Sequence, residues 1–146
     1  MSPATLRVVT LDPRAALPAR AHPGDGGLDL CALDPGELAP GERASVRTGL
    51  AIEIPEGMAA LVLPRSGLAR DHGIALVNAP GLIDCGYRGE VRVLLLNSDR
   101  RRSFCWAAGE RIAQLVVISL PTVEVAPATR LAPSRRGAHG FGSSGR

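Results

Sequence analysis

At 146 residues the chain is one domain, long enough for a real core and short enough that an oligomer would help it. Its 17 basic residues are all Arg, and a net charge of +3 argues against a polycationic nucleic-acid binder. Three cysteines, odd in number and irregular in spacing, exclude a disulfide framework and a zinc cage; no basic-then-apolar leader or membrane-length run is present, so the expectation is a soluble, cytoplasmic protein.

Short apolar runs at 6–9, 28–32, 58–63, 74–77, 91–96, 112–119 and 122–125 recur between Pro and Gly punctuation and predict strands. Val46, Thr48, Leu50, Ile52 and Ile54 alternate with Arg47, Gly49, Ala51 and Glu53, a half-buried strand at period two. Residues 93–96 and 115–118 are apolar on both faces, which suits strands inside a sandwich or at a subunit interface. Only 66–72 predicts a helix, a short one opening after Pro64-Arg65. The result is an antiparallel β sandwich or barrel over residues 1–132 with a flexible arm over 133–146.

Several clusters could carry chemistry. Asp25-Gly26-Gly27-Leu28-Asp29-Leu30 sets one carboxylate in a glycine turn and another at a strand start; two such acids can face a hydrated metal, or Asp25 can simply cap its turn. Arg65, Ser66 and Gly67 lie where the short helix begins, a place that suits phosphate, with a plain Ser N-cap as the alternative. Residues 78–91 read as a hairpin whose facing amides and carbonyls can read a base edge, with Asp84 beside the pocket and Tyr87, the only tyrosine, where a core aromatic would be unusual. The bland alternative is a packed hairpin with Asp84 as its turn acid. Arg111 and Gln114 interrupt an otherwise apolar strand and need partners, either structural or a ligand. Arg100-Arg101-Arg102, between Asn97-Ser98-Asp99 and Ser103, reads as a solvated turn.

The tail Arg136-Gly137-Ala138-His139-Gly140-Phe141-Gly142-Ser143-Ser144-Gly145-Arg146 is too rich in Gly and Ser to order itself, yet it carries one of four aromatic residues. An Arg and hydroxyls for an anion, a ring for a flat group and glycines for close wrapping suggest a lid.

Together, residues 21–30, 64–69, 81–91, 109–115 and 136–145 resemble, in order and spacing, the five motifs of the trimeric dUTPase family. The resemblance covers nearly the whole chain. It implies a jelly-roll-like homotrimer with active sites shared between subunits, splitting dUTP into dUMP and pyrophosphate with Mg²⁺. Such an activity limits uracil in DNA and supplies dUMP for thymidylate synthesis. By matched position, Asp84 is the general base for the attacking water, and Tyr87 packs under the deoxyribose and excludes a 2′-hydroxyl. Asn78 and the backbone of Gly81, Ile83 and Tyr87 read uracil. Arg65, Ser66, Gly67 and Gln114 bind the α- and β-phosphates, with Arg111 in the same substrate site. Arg136, Ser143 and Ser144, with Gly142, close over the γ-phosphate while Phe141 covers the base. Asp29 touches Mg²⁺ through water.

Three positions depart from the family pattern: Gly26 replaces an Ala, His139 replaces a Gly in the lid, and Gly86 stands where many members carry Asp. The related deoxycytidine triphosphate deaminases use a Glu and a second Ser where this chain has Asp84 and Gly67. A non-enzymatic nucleotide sensor is a further alternative, favoured by loss of the base or lid, and both are present here.

Overall fold

Strand β4 (Arg43–Glu53) shows how sequence pattern becomes architecture: Val46, Thr48, Leu50 and Ile52 are buried, while Arg47 and Ala51 between them are only partly so and Gly49 is buried as well. In the computed structural model, which describes residues 3–142 and Gly145, β4 pairs with β1 (Arg7–Thr10) on one side and β8 (Glu90–Asn97) on the other. Strand β6 (Ile74–Leu76) completes that sheet in the order β1-β4-β8-β6. The second sheet runs β2-β10-β5-β7, from β2 (Leu28–Cys31), β10 (Arg111–Ser119), β5 (Met58–Leu63) and β7 (Gly81–Asp84). A ribbon of β3 (Gly36–Leu38) with β9 (Phe104–Trp106) is separate from both. All of these pairings are antiparallel, and one core cluster draws Leu50, Ile52, Val93 and Leu95 from the first sheet and Leu30, Val62, Ile112 and Leu115 from the second. The fold is therefore the expected all-β, jelly-roll-like sandwich.

The two polar groups inside are satisfied. Thr48 donates from its hydroxyl to the Val91 carbonyl at 2.6 Å. Asn97 donates to the carbonyls of Leu38 and Arg102 at 3.0 and 2.9 Å and accepts from the Asp99 amide at 3.0 Å, which joins β8 to the ribbon and to the basic turn. That turn is solvated, as expected, with Arg100, Arg101 and Arg102 all exposed and Asp99 capping it.

The helix α1 (Ser66–His72) has the expected bounds, but its cap differs. Arg65 is the extended N-cap residue and no side chain caps the helix, so the plain Ser66 N-cap is ruled out. The 122–125 strand does not form: β10 ends at Ser119, Val123 and Val125 are 74% and 91% exposed, and among the described residues no strand pairs with the segment. A second correction concerns 78–91, which is not a paired hairpin. Strand β7 pairs with β5, whereas β8 pairs with β4 and β6, so the two arms belong to different sheets and splay apart. Among the described residues, no helix is long and apolar enough to cross a membrane.

Candidate active site

Register places one group of polar residues side by side. On the β2–β10 ladder Gln114 stands opposite Asp29, and on the β10–β5 ladder the same Gln114 stands opposite Leu63, the residue from which the chain leaves β5 into Pro64-Arg65-Ser66-Gly67. Three neighbouring strands thus deliver Asp29, Gln114 and the head of α1 to a cavity of about 310 Å³ that Asp25, Gly26 and Gly27 also line. Inside it the Asp29 carboxylate lies between two guanidiniums, 3.3 Å from Arg111 Nη1 and 3.5 Å from Arg65 Nε. Arg65 also donates to the Arg111 carbonyl at 3.2 Å. Gln114 donates from its side-chain amide to the Pro64 carbonyl at 2.8 Å. Gly27 leaves room for the Gln114 amide in this position, since a Cβ on it would overlap the amide oxygen. The partners that Arg111 and Gln114 needed are therefore Asp29 and Pro64.

Asp25 behaves as its bland reading held. Its carboxylate accepts from the His22 amide at 2.9 Å and closes the turn. Among the described residues no cluster of three or more His, Cys, Asp or Glu could enclose a metal. Oxygen donors in the cavity are the carboxylates Asp25 and Asp29 and the Ser66 hydroxyl, a set that suits a hard cation keeping most of its waters and unsuited to a buried cage.

The splaying of β7 from β8 opens a second cavity, also about 310 Å³, more apolar than polar and lined by Asn78, Gly81, Ile83, Asp84 and Tyr87 among others. Because β7 is the edge of its sheet among the described residues, one row of its amides and carbonyls has no strand partner. The Asn78 amide packs on Gly81, 3.1 Å from where a Cβ would stand. Asp84 is exposed at the rim, and its carbonyl accepts from the Tyr87 amide at 3.1 Å. The Tyr87 ring is 46% exposed, as expected for an aromatic outside the core. Cys85 is half-buried and free, a small packed thiol. Glu90, Ser45 and Arg92 also line this cavity and were not found by sequence reasoning. For Glu90 the available signal was an acid after a glycine at a strand start.

The described arm residues do not join either cavity. Arg136, Phe141 and Gly142 are exposed, with Phe141 at φ 48° and the Arg136 Nε donating to the His139 carbonyl at 2.8 Å. Ser143 and Ser144 lie outside the described residues.

The β sandwich thus carries a polar pocket lined by Asp25, Asp29, Arg65, Ser66 and Gln114 and a separate, more apolar cavity at the edge strand β7. The dUTPase family profile matches residues 13–145. Over 129 residues the chain is 55% identical to the deoxyuridine 5′-triphosphate nucleotidohydrolase of Leifsonia xyli subsp. xyli, covering 88% of this chain and 85% of that protein. It is 50% identical over 146 residues to the protein of the same name from Mycobacterium tuberculosis (strain ATCC 25618 / H37Rv), covering 97% and 95%. Among solved structures it is similar to a dUTPase variant of Staphylococcus bacteriophage 80alpha with dUpNHpp, at TM-score 0.90 and 31% identity over 97% of this chain and 99% of that one. A phage phi11 dUTPase variant, solved for the coordination of a structural Mg(II) ion, matches at TM-score 0.81 and 26% identity over 88% and 99%. The chain belongs to the dUTPase family.

Proposed function

We propose that this dUTP diphosphatase splits dUTP into dUMP and pyrophosphate by attack of an Asp84-activated water on the α-phosphorus. The new bond forms from the water oxygen to the α-phosphorus, the bond to the α–β bridging oxygen breaks, and the water proton passes to the Asp84 carboxylate. Arg65, Ser66 and Gly67 hold the α- and β-phosphates, with Gln114 and Arg111 supporting that pocket. Asn78 and the backbone of Gly81, Ile83 and Tyr87 read uracil from the edge of β7, and the Tyr87 ring fills the space a 2′-hydroxyl would need. The arm from residue 133 is a lid: Arg136, Gly142, Ser143 and Ser144 close over the γ-phosphate and Phe141 covers the base. Closure excludes bulk water and strengthens each charge interaction inside.

Asp29 is the residue that would face a Mg²⁺ ion, through water; with the Arg65 and Arg111 guanidiniums 3.5 and 3.3 Å from its carboxylate, it would hold a hydrated ion and not ligate a bare one. When bound, Mg²⁺ neutralises part of the triphosphate charge.

The observation that carries the reading is the placement of Asp84. It stands opposite Ala59 at one end of β5, and Arg65 follows the other end. From Ala59 to Leu63 alone is about 13 Å at the usual rise of a strand. A proton transfer needs a reach of about 3 Å. Phosphates held at Ser66 of one chain are therefore read as meeting Asp84 of another, in the homotrimer with three shared sites that the family resemblance implies. Strands β8 and β10 support this: Leu94, Leu96, Val116, Val117 and Ile118 are only half-buried in the single chain and offer apolar surface to a neighbour. In the cytoplasm such an enzyme keeps uracil out of DNA and yields the dUMP from which thymidylate is made.

Product analysis with dUTP, dCTP, dTTP and UTP, with and without Mg²⁺, tests the assignment. Pyrophosphate and dUMP from dUTP alone, faster with Mg²⁺, are expected. Ammonia from dCTP would instead indicate a deaminase.

A further inference from the structure

An aromatic ring that is 46% exposed is not held by core packing, so something local must fix Tyr87 if it is to act as a wall against the sugar. Three contacts around the ring do this. Its hydroxyl donates to the Glu90 carbonyl at 3.0 Å. The tip of the ring lies in the space that any side chain at position 89 would need: a Cβ on Gly89 would overlap the Tyr87 hydroxyl and stand 2.7 Å from its Cζ. The loop beneath is braced by Arg88, whose Nη1 donates to the carbonyls of Cys85 and Tyr87 at 2.6 and 2.9 Å.

Glu90 is itself anchored. Its carboxylate accepts from the Gly49 amide at 2.9 Å, from Arg47 Nε at 3.1 Å and from Arg92 Nε at 3.3 Å. Gly49 lies at φ +71°, inside the stretch between Arg47 and Ala51 where the β4–β8 register shifts. The carboxylate thus pins the start of β8 to β4, and the carbonyl of the same residue holds the ring.

We propose that Gly89 and Glu90 are positioning residues for sugar selection: Gly89 leaves the slot in which the Tyr87 ring lies back, and the Glu90 carbonyl fixes the ring there. The inference rests on the reading of Tyr87 as the wall against a 2′-hydroxyl. Gly89 touches no nucleotide in this scheme; it acts through the ring. The atom displaced by a Cβ is the far end of a side chain, so the ring moves and the backbone does not have to.

The test compares kcat/KM for dUTP and UTP in the full-length protein and four variants. Gly89→Ala is expected to lower the dUTP-to-UTP ratio about tenfold, a sizeable part of the discrimination of about 10² that a steric pocket gives against one added hydroxyl. Its melting temperature should stay close to that of the parent. Tyr87→Phe, which keeps the ring and removes only the hydroxyl, should lower the ratio about fivefold, the factor for one hydrogen bond of ordinary strength. In a Tyr87→Ala background, Gly89→Ala should change the ratio no further, because the residue acts only through the ring. The proposal is overturned if Tyr87→Ala lowers the ratio while Gly89→Ala and Tyr87→Phe leave it unchanged, or if the Gly89 and Tyr87 effects add. An unchanged ratio in Tyr87→Ala would instead remove the role of Tyr87 itself.

Discussion

Gln114 donates to the Pro64 carbonyl at 2.8 Å, so one amide hydrogen of this residue is committed to the loop that carries Arg65, Ser66 and Gly67. The phosphate-binding role proposed for it would therefore run partly through that loop. Gln114→Glu removes the donor and turns an acceptor toward a carbonyl. We expect KM for dUTP to rise about tenfold, in line with roughly 1–3 kcal/mol for leaving a buried polar group unsatisfied. Steady-state kinetics checks this; an unchanged KM would mean the loop holds itself.

Asp84→Asn keeps the size of the side chain at the cavity rim and removes its basicity. Turnover should fall roughly 10²–10⁴-fold, the usual loss for a general base, while binding of a non-hydrolysable dUTP analogue stays near the parent value. Single-turnover kinetics and calorimetry separate the two. Near-normal kcat would place activation of the water elsewhere.

Ending the chain after Pro133 removes Arg136, Phe141, Ser143 and Ser144 but nothing from the core cluster. Oligomeric state and melting temperature should survive and kcat/KM should collapse. Phe141→Ala should be milder, about 1–3 kcal/mol in binding, the value of a ring stacked on a base in single-stranded nucleic-acid binders. Amide exchange over 136–142 should slow when the analogue and Mg²⁺ are added. Slow exchange in the free protein, or fast exchange with ligand, would make the tail merely a tail.

Burial pushes the Glu90 carboxyl up, but the Gly49 amide and the Arg47 and Arg92 guanidiniums outweigh it and hold it below the ordinary range. A carboxyl depressed in the folded state stabilises the fold above its unfolded pKa, about 4.3 for Glu, and loses that contribution as pH falls through the lower folded value. Glu90→Gln should therefore melt below the parent at pH 7, and the gap should narrow below about pH 4. Thermal melts across pH 3–7 check the sign; a gap that widens in acid would contradict it.

Much of this was legible in the sequence, for identifiable reasons. The period-two pattern marked β4, and continuous apolar runs bounded by Gly and Pro marked β5, β8 and β10. Strands β3 and β9 are three residues each, too short for a period to show, and they exist because they pair with one another. The splaying of β7 from β8 could not be read locally either, since Gly86-Tyr87-Arg88-Gly89 looks like a hairpin turn. What separates the arms is tertiary: β7 follows β5 and β8 follows β4.

The site divides the same way. Gln114 and Arg111 stood out as polar residues on an apolar strand, but their partners, Pro64 and Asp29, lie about 50 and 80 residues away and come together only through the β2–β10–β5 register. Glu90 was missed because nothing in its neighbourhood shows that Gly49 and Arg47 would reach it across the β4–β8 ladder.

The central claim is that Asp84 of one chain serves phosphates held by another, and mixed oligomers test it most directly. Asp84→Asn and Arg65→Ala chains, each inactive alone, would be co-expressed with different tags, and only assemblies carrying both tags would be assayed with dUTP. If the site is shared, a neighbour supplies what each chain lacks, and a trimer carrying both kinds of chain holds one intact site in its ring, so doubly tagged assemblies should show about a third of the parent activity. Doubly tagged assemblies with no activity above the two parents would contradict the account and put the whole site within one chain.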